Sequence, residues 1–213
     1  MIRFVFAILC LMSSCFAQTN FSGFVNGTVR FTKQMSPITF GSVIIQGGTL
    51  IVDPGVELIA GSTNSYISLN NGSFSTLSIQ GTELEPVIIR PAGNFAWRGI
   101  YNINRSTRPR IEIVNAMVLG LGATSRTLNF ASANILLVNS MFQGARTTPT
   151  GVPTFGVASS LCTGIVDNCL IDGFNTGILS ERGLIIRDVD IRNTVIPTGI
   201  PQNTNVTVSL TIE

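Results

Sequence analysis

The chain has 213 residues with a formal net charge of +2, only 11% charged residues and 45% apolar ones, and it contains no histidine. That balance carries neither a polybasic tail nor an acidic block, which argues against nucleic acid and anionic membrane as partners. The missing histidine removes the commonest general base, nucleophile activator and zinc ligand.

Residues 1–17 read as a secretory signal: Arg3, the apolar run Phe4 to Met12, and Cys15-Phe16-Ala17 before the cleavage point. A second reading takes Met12-Ser13-Ser14-Cys15 as a lipoprotein signal acylated on Cys15, although leucine is the usual first residue of that motif. A membrane-spanning helix needs about twenty apolar residues, and no segment supplies them, so no transmembrane segment is expected. The expectation is a secreted, extracellular protein. Residues 18–40 are expected to form a lead-in or N-terminal cap, residues 41–200 the main body, and residues 201–213 a final strand that could fold across the end as a cap.

In "TLIVDPGVEL", residues 49–58, a strand meets Asp53-Pro54-Gly55 and a second strand follows. A hairpin would favour a primed turn such as Asn-Gly. Asp-Pro-Gly instead predicts a bend between two strands that do not pair with each other.

Further along, four segments align: Val114 to Gly120, Val138 to Gly144, Asp167 to Gly173 and Arg187 to Asn193, at spacings of 24, 29 and 20 residues. Thr176-Gly177-Ile178 and Thr198-Gly199-Ile200 match downstream of the last two. Repeats of this size, built of short β-type runs, signal a solenoid in which each unit buries its inner face by stacking on its neighbours. No helical periodicity persists, whereas β-branched residues and period-two alternation recur. Three strands per coil at about 22 residues predict an all-β, single-stranded parallel β-helix of roughly seven to eight coils.

Stacking the segments assigns faces. Ala116, Ser140, Cys169 and Val189 point inward with Val118, Phe142, Ile171 and Ile191. Asn115, Asn139, Asn168 and Asp188 form a polar column, and Met117, Met141, Leu170 and Asp190 face outward. Three apolar residues in an outward column require either a covering loop, such as Gln143 to Thr154, or a docking strip.

The stretch "GSVIIQGGTLIVDPGVELIAG", followed by "LSIQGTELEPVIIRPAGNFAWRGI", resembles the opening coils of right-handed parallel β-helix proteins of the pectate-lyase-like superfamily. "VDNCLIDGFNTGI" is similar to that group's generic repeat, and the resemblance covers roughly residues 41 to 200. It implies the right-handed fold and an asparagine ladder along the polar column. On function it is nearly silent, because members include lyases, hydrolases, adhesins, tail spikes and animal junction proteins.

Chemistry would have to come from the eleven carboxylates. Asp167, Asp188 and Asp190 with Arg187 form a thin version of the calcium and arginine site of the lyase-like members, too sparse for an ion that wants six to eight oxygens. The paired "DD" and "GHG" motifs of the polygalacturonase-like members are absent. Asp172 falls beside Arg192 in the stacking register, an expected surface ion pair. No metal, cofactor, phosphate loop or base-stacking run is expected. Thr147, Thr148, Thr150 and Thr154 cluster in one connection, so no threonine column of the ice-binding kind is read. Arg98, Arg105, Arg108 and Arg110 are either a solvated loop or a small site for an anionic glycan or mineral surface.

Five sequons, at Asn20, Asn26, Asn71, Asn104 and Asn205, fit a secreted glycoprotein. Cys162 and Cys169 either pair, if neighbouring coils bring them within about 7 Å, or stand as buried small hydrophobes. The expected role is non-enzymatic, structural or adhesive, with an extracellular protein or polysaccharide as partner. The alternative is a carbohydrate-active enzyme, lyase or glycoside hydrolase-like, acting on an acidic polysaccharide. The sequence leaves the oligomeric state open.

Overall fold

The computed structural model describes residues 19–69, 75–102, 104, 108–123, 126–145, 155–180, 183–194 and 196–199. The expected signal, the sequons at Asn71 and Asn205, Arg105, the four threonines of residues 147–154, most of the expected covering loop and the final strand lie outside them.

Among the described residues the protein is all-β, relieved only by one 3-10 turn at Lys33–Met35. All strand pairings are parallel, and successive neighbours in a sheet lie almost always three strands apart in the chain. The seven-stranded sheet consists of β2 (Thr28–Phe31), β4 (Thr49–Val52), β7 (Thr76–Gln80), β10 (Arg110–Val114), β13 (Asn134–Val138), β16 (Thr163–Asp167) and β19 (Leu184–Arg187).

The fourteen-stranded sheet has two arms that meet at the long strand β3 (Ile38–Ile45). One arm runs through β5 (Glu57–Ala60), β8 (Val87–Pro91), β11 (Ala116–Leu121), β14 (Met141–Gly144), β17 (Leu170–Asp172) and β20 (Asp190–Arg192). The other runs through β6 (Tyr66–Leu69), β9 (Gly99–Asn102), β12 (Arg126–Phe130), β15 (Phe155–Ser159), β18 (Thr176–Ser180) and β21 (Ile196–Gly199). The first strand, β1 (Thr19–Val25), pairs with β3 alone among the described residues. The halves of β3 serve different arms: Ile38 to Phe40 pair with β5, and Ser42 to Ile45 pair with β6. Between them sits Gly41, where a Cβ would lie 2.5 Å from Ser22 Oγ.

The sheets nearly close around one apolar interior. Period-two alternation delivers Val52, Ile79, Ile113, Leu137, Val166 and Ile186 to it from the smaller sheet and Leu58, Ile89, Val118, Phe142, Ile171 and Ile191 from the first arm, all at most 4% exposed. Each such side chain contributes about 1.5–3 kcal/mol on leaving water. The second arm adds Ile67, Ile100, Leu128, Val157 and Ile178, with an internal polar contact from Ser159 Oγ to Ser180 Oγ at 3.1 Å.

The Asp53-Pro54-Gly55 reading holds. Strand β4 pairs with β2 and β7, β5 pairs with β3 and β8, and no ladder joins β4 to β5. Pro54 precedes Gly55 at φ +72°, and Val56 N–H returns to Asp53 O at 3.3 Å, the pattern of a type II turn. Arg30 Nε donates to both Asp53 carboxylate oxygens, at 3.0 and 2.9 Å, which fastens the bend to the preceding coil.

The "WRGI" stretch also has a packing reason. Trp97 is fully buried, edge-on to Phe40 at 5.5 Å, and its indole N–H donates to Leu119 O at 2.7 Å. Gly99 two residues later adopts φ +103°, where a Cβ would sit 2.1 Å from Thr127 O.

Candidate functional site

The outer face of the first arm carries a trough, an open depression of about 540 Å³. Its wall begins at the corners between the smaller sheet and this arm. Asn115, Asn139, Asn168 and Asp188 follow β10, β13, β16 and β19, and all have φ between +47° and +49°. A left-handed residue turns the chain from one sheet to the next within one or two positions, and Asn and Asp tolerate that region better than other side chains. The polar column predicted from the sequence is therefore a column of corners. Side chains of like type recur because the backbone conformation recurs.

Backbone hydrogen bonds lock the corners together. Asn115 N–H donates to Val138 O at 3.0 Å, Asn139 N–H to Asp167 O at 3.1 Å and Asn168 N–H to Arg187 O at 3.1 Å. Side chains add two further links: Asn115 Nδ2 to Gly81 O at 3.1 Å and Asn168 Nδ2 to Asn139 Oδ1 at 2.9 Å. These are segments of a ladder. Gly81 occupies the corresponding corner one coil earlier, where a Cβ would lie 2.1 Å from Asn115 O.

The floor follows from registry. Met117 pairs with Met141, Met141 with Leu170 and Leu170 with Asp190, as the aligned repeats require. The same column extends backward through Ile88 to Glu57, so four apolar residues lie between two carboxylates. Met117, Met141, Leu170 and Asp190 are half-buried and line the trough together. Beneath them Ser140 Oγ donates to Val138 O at 2.8 Å, and Cys169 Sγ reaches Asp167 O at 3.3 Å in the same geometry one coil later. Sequence reasoning missed the end wall, formed by Thr82, Glu83 and Pro86. Its signal was present in the five residues inserted between the Gly81 corner and β8.

The four residues weighed for chemistry are only partly brought together. Asp188 and Asp190 line the far end of the trough, whereas Asp167 and Arg187 bond each other at 2.7 Å on neighbouring strands of the smaller sheet. Asp190 Oδ2 receives Arg192 at 2.6 Å, while Asp190 Oδ1 is buried with no partner among the described residues. The expected pairing of Asp172 with Arg192 is corrected in its chemistry. The two stand in register, but Arg192 reaches back within its own strand to Asp190, and Asp172 accepts from Gln143 Nε2 at 3.0 Å and Asn193 Nδ2 at 2.6 Å. No cluster of three or more metal-binding side chains occurs among the described residues.

Cys162 and Cys169 are free and buried, which corrects the pairing alternative. They flank opposite ends of β16, so at about 3.3 Å per residue they stand far beyond the 7 Å reach of a disulfide. Burial raises both thiols to about 11.

The threonine reading also changes. Thr28, Thr49 and Thr76 stand in direct register on the outer face of the smaller sheet, a short column followed by Arg110, Asn134 and Thr163. Of the arginine cluster, Arg98 lies over the Tyr66 ring at 5.3 Å, Arg110 pairs with Glu112, and Arg108 is exposed. Among the sequons, Asn20 and Asn26 are exposed and Asn104 is half-buried. No helix among the described residues is long and apolar enough to cross a membrane. Comparison with family models, curated proteins and solved structures finds no match to the chain.

Proposed function

We propose that the chain is a secreted, right-handed, single-stranded parallel β-helix that serves as a non-catalytic structural or adhesive component outside the cell. The seven strands of the smaller sheet would then count seven coils, and right-handed crossovers are the rule for parallel connections. Glycans on exposed Asn20 and Asn26 suit such a role. The observation that carries the reading is the engagement of the carboxylates at that end of the arm: Asp190, which lines the trough, with Arg192, and beside it Asp167 with Arg187 and Asp172 with two amides. Carboxylates held this way are poorly placed to act as an acid and base pair across a sugar.

A second reading, an enzyme acting on an acidic polysaccharide, rests on Asp188 and Asp190 lining one trough. Incubation of the secreted protein with polygalacturonate, other uronic-acid polymers and neutral glycans, with and without calcium, separates the two. No product is expected. Turnover that disappears in Asp188→Ala would overturn the non-catalytic reading, and a glycan and protein array would identify the class of partner.

A further inference from the structure

We infer that the trough on the first arm is a binding site for an extended peptide segment whose apolar side chain is flanked by basic ones. The inference deepens the adhesive reading and rests on it. The trough's floor is Met117, Met141 and Leu170, soft side chains that adapt to varied apolar partners. Its charged lining residues are Glu83 at one end and Asp188 and Asp190 at the other, with no lysine or arginine among the lining residues described. In a chain of net charge +2 this is a local reversal of sign, and it favours a cationic occupant over an anionic glycan.

Asp190 supplies a more specific reason. Its Oδ1 is shielded from solvent and accepts no hydrogen bond among the described residues, while Oδ2 is taken by Arg192. A buried carboxylate oxygen without a donor costs free energy, and a turn of the Asp190 carboxylate toward the trough it lines would let an incoming ammonium or guanidinium N–H supply the missing donor. The exposed corner amides of Asn139 and Asn168 offer polar groups along the wall for a peptide backbone.

Length sets the spacing of the ligand. The floor crosses the coils of β11, β14, β17 and β20, about 14 Å at the ordinary interstrand distance. Five extended residues span about the same, and residues one, three and five then face the floor. Glu83 stands one coil further, in the connection into β8, so the acids are about 19 Å apart and long lysine side chains at the two ends cover the remainder, matching acid, apolar floor, acid.

The test uses the full secreted protein and a fluorescein-labelled, amidated Lys-Ser-Leu-Ser-Lys peptide, read by polarisation. Binding is expected, about ten-fold weaker in Asp190→Asn and about three- to five-fold weaker in Asp188→Asn. Binding should be lost in Met141→Arg and reduced several-fold by 0.5 M salt. The Glu-Ser-Leu-Ser-Glu analogue and trigalacturonate should not compete. Asp188 is exposed and Asn occupies the same corner in other coils, so that variant decides the matter even where Met141→Arg does not fold. Equal binding of the two peptides, competition by trigalacturonate, unchanged affinity in Asp188→Asn and Asp190→Asn, or no binding at about 1 mM peptide would each overturn the inference. Turnover of a polysaccharide would overturn the non-catalytic reading separately, since the peptide assay involves no sugar.

Discussion

At the residue scale, the left-handed corners explain why asparagine recurs where it does. A β-branched residue forced to φ near +49° incurs about 1–2 kcal/mol of strain that asparagine and glycine largely avoid. Asn139→Val should therefore destabilise the protein by about 2 kcal/mol, because it also removes the acceptor of Asn168 Nδ2. Asn139→Gly should cost less than about 1 kcal/mol, and Asp188→Asn should be near neutral, as read from urea midpoints at constant m-value. Equal effects of Val and Gly would contradict a conformational origin. The two thiols allow a pH prediction. Burial raises each folded-state value from 9.0 to about 11, so the native state holds these protons more tightly than the unfolded chain does. Their contribution is fully present below pH 9 and is lost as pH rises from 9 toward 11. Stability should decline over that window, less steeply in a Cys162→Ala, Cys169→Ala double variant. Alkylation at pH 8 should proceed only in denaturant. The sequence showed the asparagine column because side-chain identity repeats. The partner of Arg192 was not legible, since registry places Asp172 and Asp190 at comparable reach and rotamer choice decides.

At the scale of elements, glycine marks where backbone from the next coil comes closest. Gly164 in β16 adopts φ +139°, and a Cβ there would lie 1.8 Å from Ile135 O in the neighbouring strand. Gly164→Ala must push β16 away from β13 and should destabilise by more than about 3 kcal/mol, at the upper end for a single substitution. Gly47, at φ +73° with nothing within 4 Å of a Cβ, should accept asparagine with little cost. Thermal unfolding of the two variants checks the contrast; a mild Gly164→Ala would mean that the strands separate more easily than their packing implies. Legibility differed between elements for a physical reason. The first arm repeats a compact motif, with two-residue corners at most from β13 onward, so its registry follows directly from the repeats in the sequence. The column Thr28, Thr49, Thr76 escaped notice because the coils between them differ in length by the loop residues they carry, which hides a constant position from any fixed period. The second arm was hardest to place: Gly99, Thr127 and Gly156 are buried, small residues that satisfy packing without an alternating apolar and polar pattern.

At the scale of the whole molecule, the parallel ladder makes stability a matter of neighbours. A strand inside the stack is registered against one strand on each side, whereas β20 has a registered neighbour on one side only among the described residues. Ile171 and Ile191 test this directly, because they occupy the same inward column, pair with each other in register and are 0% and 4% exposed. Truncation of a buried isoleucine to alanine costs about 2–5 kcal/mol, and the value depends on how far the surroundings can collapse into the space left behind. Ile171 is held between Phe142 and Ile191, so little relaxation is open to it and Ile171→Ala belongs near the upper figure. Ile191→Ala belongs near the lower one. Native-state amide exchange should follow the same order, with β14 amides protected nearly to the global unfolding free energy and β20 amides exchanging by local opening. If Ile191→Ala proved as costly as Ile171→Ala and β20 exchanged as slowly as β14, the coil containing β20 would be covered as completely as an interior one. The nearest-neighbour account would then fail at that end. A difference of about 1.5 kcal/mol or more in the expected direction, with matching exchange rates, would establish that each coil draws its stability from the strands directly against it.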